Sequence, residues 1–323
     1  MRKALVFVVF VLLFGAYPAQ AVDFPTKPIS LVVPFAAGGP TDAVARVLAR
    51  PLGAALKGQV IVENIVGAGG TVAAARVAKA APDGHTLFIH HIGHSTAVSL
   101  YRRLPYDPIR DFEPIGFIGD IPMTLIGKKD FPARNLRELI AHVKAHSAKI
   151  NLAHAGIGSA SHLCGILFQS AIETDLTTVP YGGTGPAMMA LLGGQVDLMC
   201  DQSVNTIPQI KAGSVSTFGV TTRTRVPALA DVPTLHEAGL PNFEVSVWNA
   251  LYAPRGTSKA IIDKINKALI EALRDPVLRQ RFAELGMELF PEARINPDAL
   301  RAHLKAEIDK WGVVIKKAGV FAD

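Results

Sequence analysis

The chain has 323 residues, 49% of them hydrophobic and 19% charged, with 28 Gly, 22 Pro and 2 Cys. That composition excludes a disordered segment, a collagen and a disulfide scaffold, and the length suits two domains better than one core. Lys+Arg 33 against Asp+Glu 27 leaves a net charge of +6, but the basic runs are no longer than pairs such as Arg102-Arg103 and Lys316-Lys317, and aromatics make up only 7%. Neither the basic stripe nor the stacking platform of a nucleic-acid binder is in evidence.

Arg2 and Lys3 are followed by an apolar run over residues 4–16 and by Ala19-Gln20-Ala21, a small-x-small pattern. This predicts a signal peptide over residues 1–21, cut after Ala21, and an exported, periplasmic protein. The apolar run is shorter than the ~20 residues that a membrane span needs.

Ile29–Val33 reads as a buried strand and residues 34–40 as a Gly-rich turn. The spacing of Val44, Val47, Leu48 and Leu52 predicts a helix over 41–52, capped by Thr41 or Asp42. A strand at 60–62, a loop Gly67-Ala68-Gly69-Gly70, a helix at 71–80 and a strand at 86–89 complete a β-α-β-α-β series. Such a series predicts an α/β lobe with a largely parallel sheet. Pro105, Pro108 and Pro122 punctuate a crossover, and a similar series follows. It consists of a strand at 149–153, a Gly/Ser turn at 154–159, a helix from Ser161, a strand at 177–179, a loop at 181–185, a helix at 186–192 and a strand at 196–200. A return crossing near 243–248 leads to helices at 259–274, 276–285 and 297–318, the first capped by Ser258. The expected architecture is α/β with two lobes: a discontinuous first lobe (22–121 plus 246–323), a second lobe (122–245) and a cleft between them.

The chemistry lies in the paired strand–Gly loop–helix junctions. Glycines let backbone N–H groups face outward, and a helix N-terminus adds free donors and partial positive charge. In open α/β sheets such loops sit at the carboxyl ends of strands, where ligands bind. One junction per lobe suits a small anion held between them. A side chain added at Gly38 or Gly158 is expected to intrude on this cradle. His94, Ser95 and Thr96 are expected to line the cleft, and Asp201, at a strand end, either accepts an amine or hydroxyl of the ligand or caps local backbone. No cofactor motif is complete: there is no P-loop, and Gly67-x-Gly69 and Gly183-x-Gly185 lack the third small residue of a dinucleotide fingerprint. His90, His91 and His94 form the one histidine cluster, but no Cys, Asp or Glu lies beside it to complete a metal site, so no metal is expected. Ser159 and His162 have no third orienting group, so a capping hydroxyl explains Ser159 better than a nucleophile does. Cys164, in a predicted helix, and Cys200, at the end of a predicted strand, are read as free thiols, since a disulfide requires that helix to pack over that strand.

Several motifs carry a resemblance over nearly the whole mature chain. They include Val33-Pro34-Phe35-Ala36-Ala37-Gly38-Gly39-Pro40-Thr41-Asp42, Val62-Glu63-Asn64, Pro82-Asp83-Gly84-His85-Thr86-Leu87 and Leu104-Pro105-Tyr106-Asp107. Gly156-Ile157-Gly158-Ser159 with His162, Val179-Pro180-Tyr181-Gly182-Gly183, Asp231-Val232-Pro233-Thr234 and Ala253-Pro254-Arg255-Gly256-Thr257 extend it. The chain resembles the solute-binding proteins of tripartite tricarboxylate transporters, the Bug family. The resemblance implies a periplasmic-binding-protein fold of type II that closes on a small carboxylate. It implies that the loops from Phe35 to Asp42 and from Gly156 to Ser159 hold that carboxylate through backbone N–H groups and bridging water, and that a permease of one large and one small membrane subunit receives it. His85, His90-His91 and Ala153-His154-Ala155 depart from the family's commoner residues, so its usual ligands do not carry over directly. A histidine lining the pocket is able to donate a hydrogen bond to a second carboxylate.

The expected function is capture of a mono- or dicarboxylate, aromatic acids included, by a monomeric receptor without cofactor or catalysis. The alternatives are a ligand-binding partner of a sensor system and a secreted hydrolase using Ser159 and His162.

Overall fold

The computed structural model describes residues 23–322, so the expected signal peptide lies outside the described residues. The elements in chain order are β1 (Ile29–Val33), α1 (Pro40–Leu56), β2 (Val60–Asn64), α2 (Thr71–Ala78), β3 (Thr86–His91), α3 (Gly93–Leu100), β4 (Phe112–Lys128), α4 (Leu136–His146), β5 (Asn151–His154) and α5 (Ala160–Ile172). They continue with β6 (Thr177–Pro180), α6 (Thr184–Leu192), β7 (Leu198–Gln202), α7 (Ser203–Lys211), β8 (Val215–Val220), β9 (Ser246–Pro254), α8 (Lys259–Leu273), α9 (Pro276–Glu284), β10 (Glu288–Leu289) and α10 (Pro297–Ala318).

Two sheets share one long strand. In the first, β2, β1 and β3 are parallel, β9 lies antiparallel to β3, and β4 lies antiparallel to β9. From Met123 onward β4 instead pairs with β7, antiparallel, and β5 and β6 continue parallel from there, while β8 takes the other side of β4. The sequence predicts largely parallel lobes; the structure adds an antiparallel centre. The cause is connectivity, because β4 and β9 carry the chain between the lobes in opposite directions and pair side by side. Pro122 reads as punctuation in the sequence, yet β4 runs through it and through Pro114, Gly116 and Gly119. Register shifts at Pro114/Gly116 and Phe117/Gly119 absorb the missing donor and the bend. Gly119 also lets a helix-bearing segment approach closely: a Cβ there would lie 2.6 Å from Met287 Cε.

The C-terminal helices pack as their periodicity predicts. Ile262, Ile265, Leu269 and Leu273 of α8 are buried. Ser258, Asp275 and Asn296 accept N–H groups of the first turns of α8, α9 and α10. At α1 the structure differs from expectation. Its N-cap is Gly39, without a side-chain cap, and neither Thr41 nor Asp42 performs that role. Asp42 instead braces the preceding loop: Oδ2 accepts from Gly38 N at 3.0 Å and Arg46 Nε at 2.9 Å, and Oδ1 accepts from Asn64 Nδ2 at 3.0 Å. Burial would raise the Asp42 pKa, but these hydrogen bonds outweigh it and hold the carboxyl below its usual range.

The two cysteines also correct the sequence reading. Helix α5 does pack over β7, and Cys164 and Cys200 form a disulfide with Cα atoms 6.0 Å apart. Periodicity locates each element but not which helix covers which strand.

Candidate ligand-binding site

Three helices point their N-termini at one place. A small, tight cavity lies between the lobes. Its lining includes Pro40 and Thr41 at the start of α1, Ser159, Ala160 and Ser161 at the start of α5, and Thr184 at the start of α6. Phe35, His91, Ala155 and Gln202 complete the wall. The first backbone N–H groups of a helix have no partner within it. Neither α1 nor α6 has a side-chain cap, so their donors are left for something else. In α5, Ser159 Oγ accepts the His162 N–H at 3.3 Å, the capping role expected for it. No lining residue carries a formal charge.

The histidines near the cavity are neutral donors. Gly93 N–H donates to His91 Nδ1 at 2.9 Å, Gly156 N–H to His154 Nδ1 at 3.1 Å, and Gly158 N–H to His162 Nδ1 at 3.2 Å. A backbone N–H is always the donor, so each Nδ1 must be bare and each ring proton sits on Nε2. Burial drives the pKa values of His91 and His162 down to about 3 and lowers that of His154 as well. The His91 ring is stacked on Phe35, centroids 5.0 Å apart, which fixes its plane against the cavity.

Other predicted site residues are distributed around this centre. Ala36 N–H donates to Gly182 O across the cleft at 3.0 Å, and Cβ atoms at Gly183 and Gly185 would lie 3.0 Å from Ala36 N and 2.9 Å from Gly38 C. Ala37 and Gly38 are exposed on the outer side of that contact, and Gly39 abuts Gly185 and Thr184. A Cβ at Gly38 would meet nothing within 4 Å, so intrusion is not what a side chain costs there. The cost is conformational, because φ is +80°. Gly156, Ile157 and Tyr181 line a separate, larger groove at the cleft mouth, with Gly67, Gly69 and Tyr101 opposite them.

His94 and Ser95 do not line the cleft. Both are fully buried, His94 packed among Phe88, Tyr106, Phe112 and Tyr252, and Ser95 Oγ donating to Ile92 O at 2.6 Å. The segment after β3 is helix α3, which turns these side chains into the core. Among the polar cavity residues, sequence reasoning missed His91, Gln202, Thr184 and Ser161. His91 was visible only as part of a histidine cluster, and Gln202 only as the neighbour of Asp201 across the strand alternation.

Asp201 is fully buried. Asn205 Nδ2 donates to its Oδ2 at 2.5 Å, and the Gln202 backbone N–H and the Thr184 hydroxyl also favour the charged form. Burial dominates and pushes its pKa up to about 7. Between the ordinary aspartate value of 3.8 and about 7 the folded chain therefore holds a proton that the unfolded chain has released, and stability declines as pH rises across that window. The difference in urea midpoint between the wild type and Asp201→Asn should change across pH 4–7 and level off above it. A constant difference would mean that Asp201 ionises normally.

A two-lobe α/β fold whose cleft is walled by helix N-termini is the architecture of periplasmic binding proteins. Comparison with known proteins agrees. The sequence profile of the family described as "Tripartite tricarboxylate transporter family receptor" matches residues 44–320. The solved periplasmic binding protein BugD superposes with a TM-score of 0.90 and 49% identity, over 92% of this chain and 99% of that one. MatC from Rhodopseudomonas palustris, solved with bound malate, gives a TM-score of 0.87 and 44% identity, over 90% of this chain and 100% of its own. An Agrobacterium vitis protein encoded in the TAR-I ttuE-ttuC' intergenic region is 47% identical over 302 residues, 93% of this chain and 87% of that protein. The chain belongs to the tripartite tricarboxylate transporter receptor family, whose members are periplasmic solute receptors and not enzymes.

Proposed function

We propose that the exported chain captures a small mono- or dicarboxylate in the cavity between its lobes and delivers it to the membrane subunits of a tripartite transporter. The observation that carries this reading is the convergence of α1, α5 and α6 on one cavity whose lining has no charged side chain. Each N-terminus presents about half a positive charge and two or more free N–H donors, which suits a carboxylate. The His91 Nε2–H adds a donor on the first-lobe side for a second carboxylate or a hydroxyl, and its low pKa keeps that donor neutral throughout the range in which carboxylates are ionised. The malate in MatC belongs to the same chemical class.

Thermal shift of the mature protein against mono-, di- and tricarboxylates, aromatic acids and acidic amino acids tests the reading. At 100 times Kd a ligand should add about 2.7 kcal/mol of stability, a clear rise in Tm. Silence across the panel would refute it.

A further inference from the structure

We infer that Tyr101 and Gly69 form a receptor for the backbone carbonyl of Ile157 that favours lobe closure by the same amount whichever ligand is bound. Tyr101 ends α3 on the first lobe, and Ile157 lies in the loop before α5 on the second. The Tyr101 hydroxyl lies 2.9 Å from Ile157 O and 2.8 Å from Ala68 O. It has one proton to donate, so it is shared between a carbonyl of its own lobe and one of the other. Gly69 makes room for the approach: a Cβ there would lie 1.9 Å from Ile157 O and 2.9 Å from Ile157 C. On the opposite side, Gly156 and Gly69 are also in backbone contact, a Cβ at Gly156 lying 3.0 Å from Gly69 N. The Thr96 hydroxyl reaches the next carbonyl, Gly158 O, at 3.3 Å.

Neither Tyr101 nor Gly69 lines the central cavity. They act through the closing equilibrium, which makes Tyr101 a positioning residue. When only the closed form grips a ligand, the measured Kd equals the intrinsic value divided by the closed fraction, so weakening the latch raises Kd for every ligand by one factor. A single hydrogen bond of ordinary strength corresponds to a factor of about 2 to 10. A side chain that touched the ligand would instead change the ranking among ligands.

The inference rests on the proposed carboxylate reading only for its binding arm; the closure arm needs no ligand. Small-angle scattering compares the ligand-free wild type with Tyr101→Phe and Gly69→Ala. Both variants should have a larger radius of gyration, Gly69→Ala the larger of the two, with Tyr101→Phe unfolding within about two degrees of the wild type, as befits an interaction made between lobes. Calorimetry with malate, succinate and acetate follows. Each probe that binds the wild type should bind Tyr101→Phe about 2- to 10-fold more weakly, by a common factor. Unchanged dimensions in Tyr101→Phe overturn the inference, and so does a loss confined to one probe. If no probe binds the wild type, the carboxylate reading fails while scattering still decides the latch.

Discussion

A Gly185→Val protein should fold normally and bind its carboxylate about 100-fold more weakly, the upper end of what overpacking a tight contact costs. Gly185 is in the first turn of α6, and a Cβ on it would lie 2.9 Å from Gly38 C and 3.1 Å from both Ala37 O and Gly38 O. All three are backbone atoms of the opposite lobe's loop. A flexible side chain swings aside, but main chain braced by Asp42, as this loop is, does not. Gly185 is absent from the residues with positive φ, so valine brings no backbone strain of that kind to confuse the result. The added atoms wedge the N-termini of α1 and α6 apart, and the lobes cannot bring both sets of donors onto one anion. Isothermal calorimetry reads the affinity and thermal denaturation the fold. Wild-type affinity in the variant would show that these two loops do not converge on the ligand.

Replacing Cys164 and Cys200 together by alanine should cost about 4 kcal/mol of stability, as the entropy of closing a loop with a separation of 36 residues implies, and lower Tm by about 5–10 °C. The bond ties α5 to β7, and both elements contribute to the cavity, through Ser159 and Ser161 at one end of the helix and Gln202 at the end of the strand. Stability and affinity should therefore fall together, the affinity loss being the smaller, because Cys164 lies one turn beyond the ligand-facing residues of α5. Unchanged Tm in the double variant, or in wild type treated with reductant, would contradict the prediction.

Most of the alternating elements were legible because their apolar spacing is regular and their turns carry Gly or Pro. The stripe of Ile262, Ile265 and Leu269 and the β-branched run of β1 need only local information. Strand β4 was not legible, since its prolines and glycines are tolerated only where register shifts and neighbouring helices accommodate them. Helix α3 was not legible either: its sequence, GHSTAVSL, has no helical stripe, and tertiary packing supplies the helix. The same error placed His94 in the cleft. For the site, the junction loops were visible as strand–Gly loop–helix patterns, whereas His91 and Gln202 depend on how two lobes face each other. The uncapped state of α1 was misread because Asp42 is a suitable cap by type. Only the fold shows that its carboxylate is committed to Gly38, Arg46 and Asn64.

The absence of charged side chains from the cavity lining has a consequence for how this receptor tolerates change. A pocket that grips an anion with a lysine or arginine can be disarmed by one substitution. On the proposed reading the grip belongs to the peptide group, which no substitution short of proline removes and no physiological pH neutralises. An alanine scan of the lining should find many modest effects and no single decisive residue. Side chains such as His91, Thr184 and Gln202 are free to be exchanged without dismantling the grip, so one scaffold can be turned from one carboxylate to another by altering only what surrounds the shared head group.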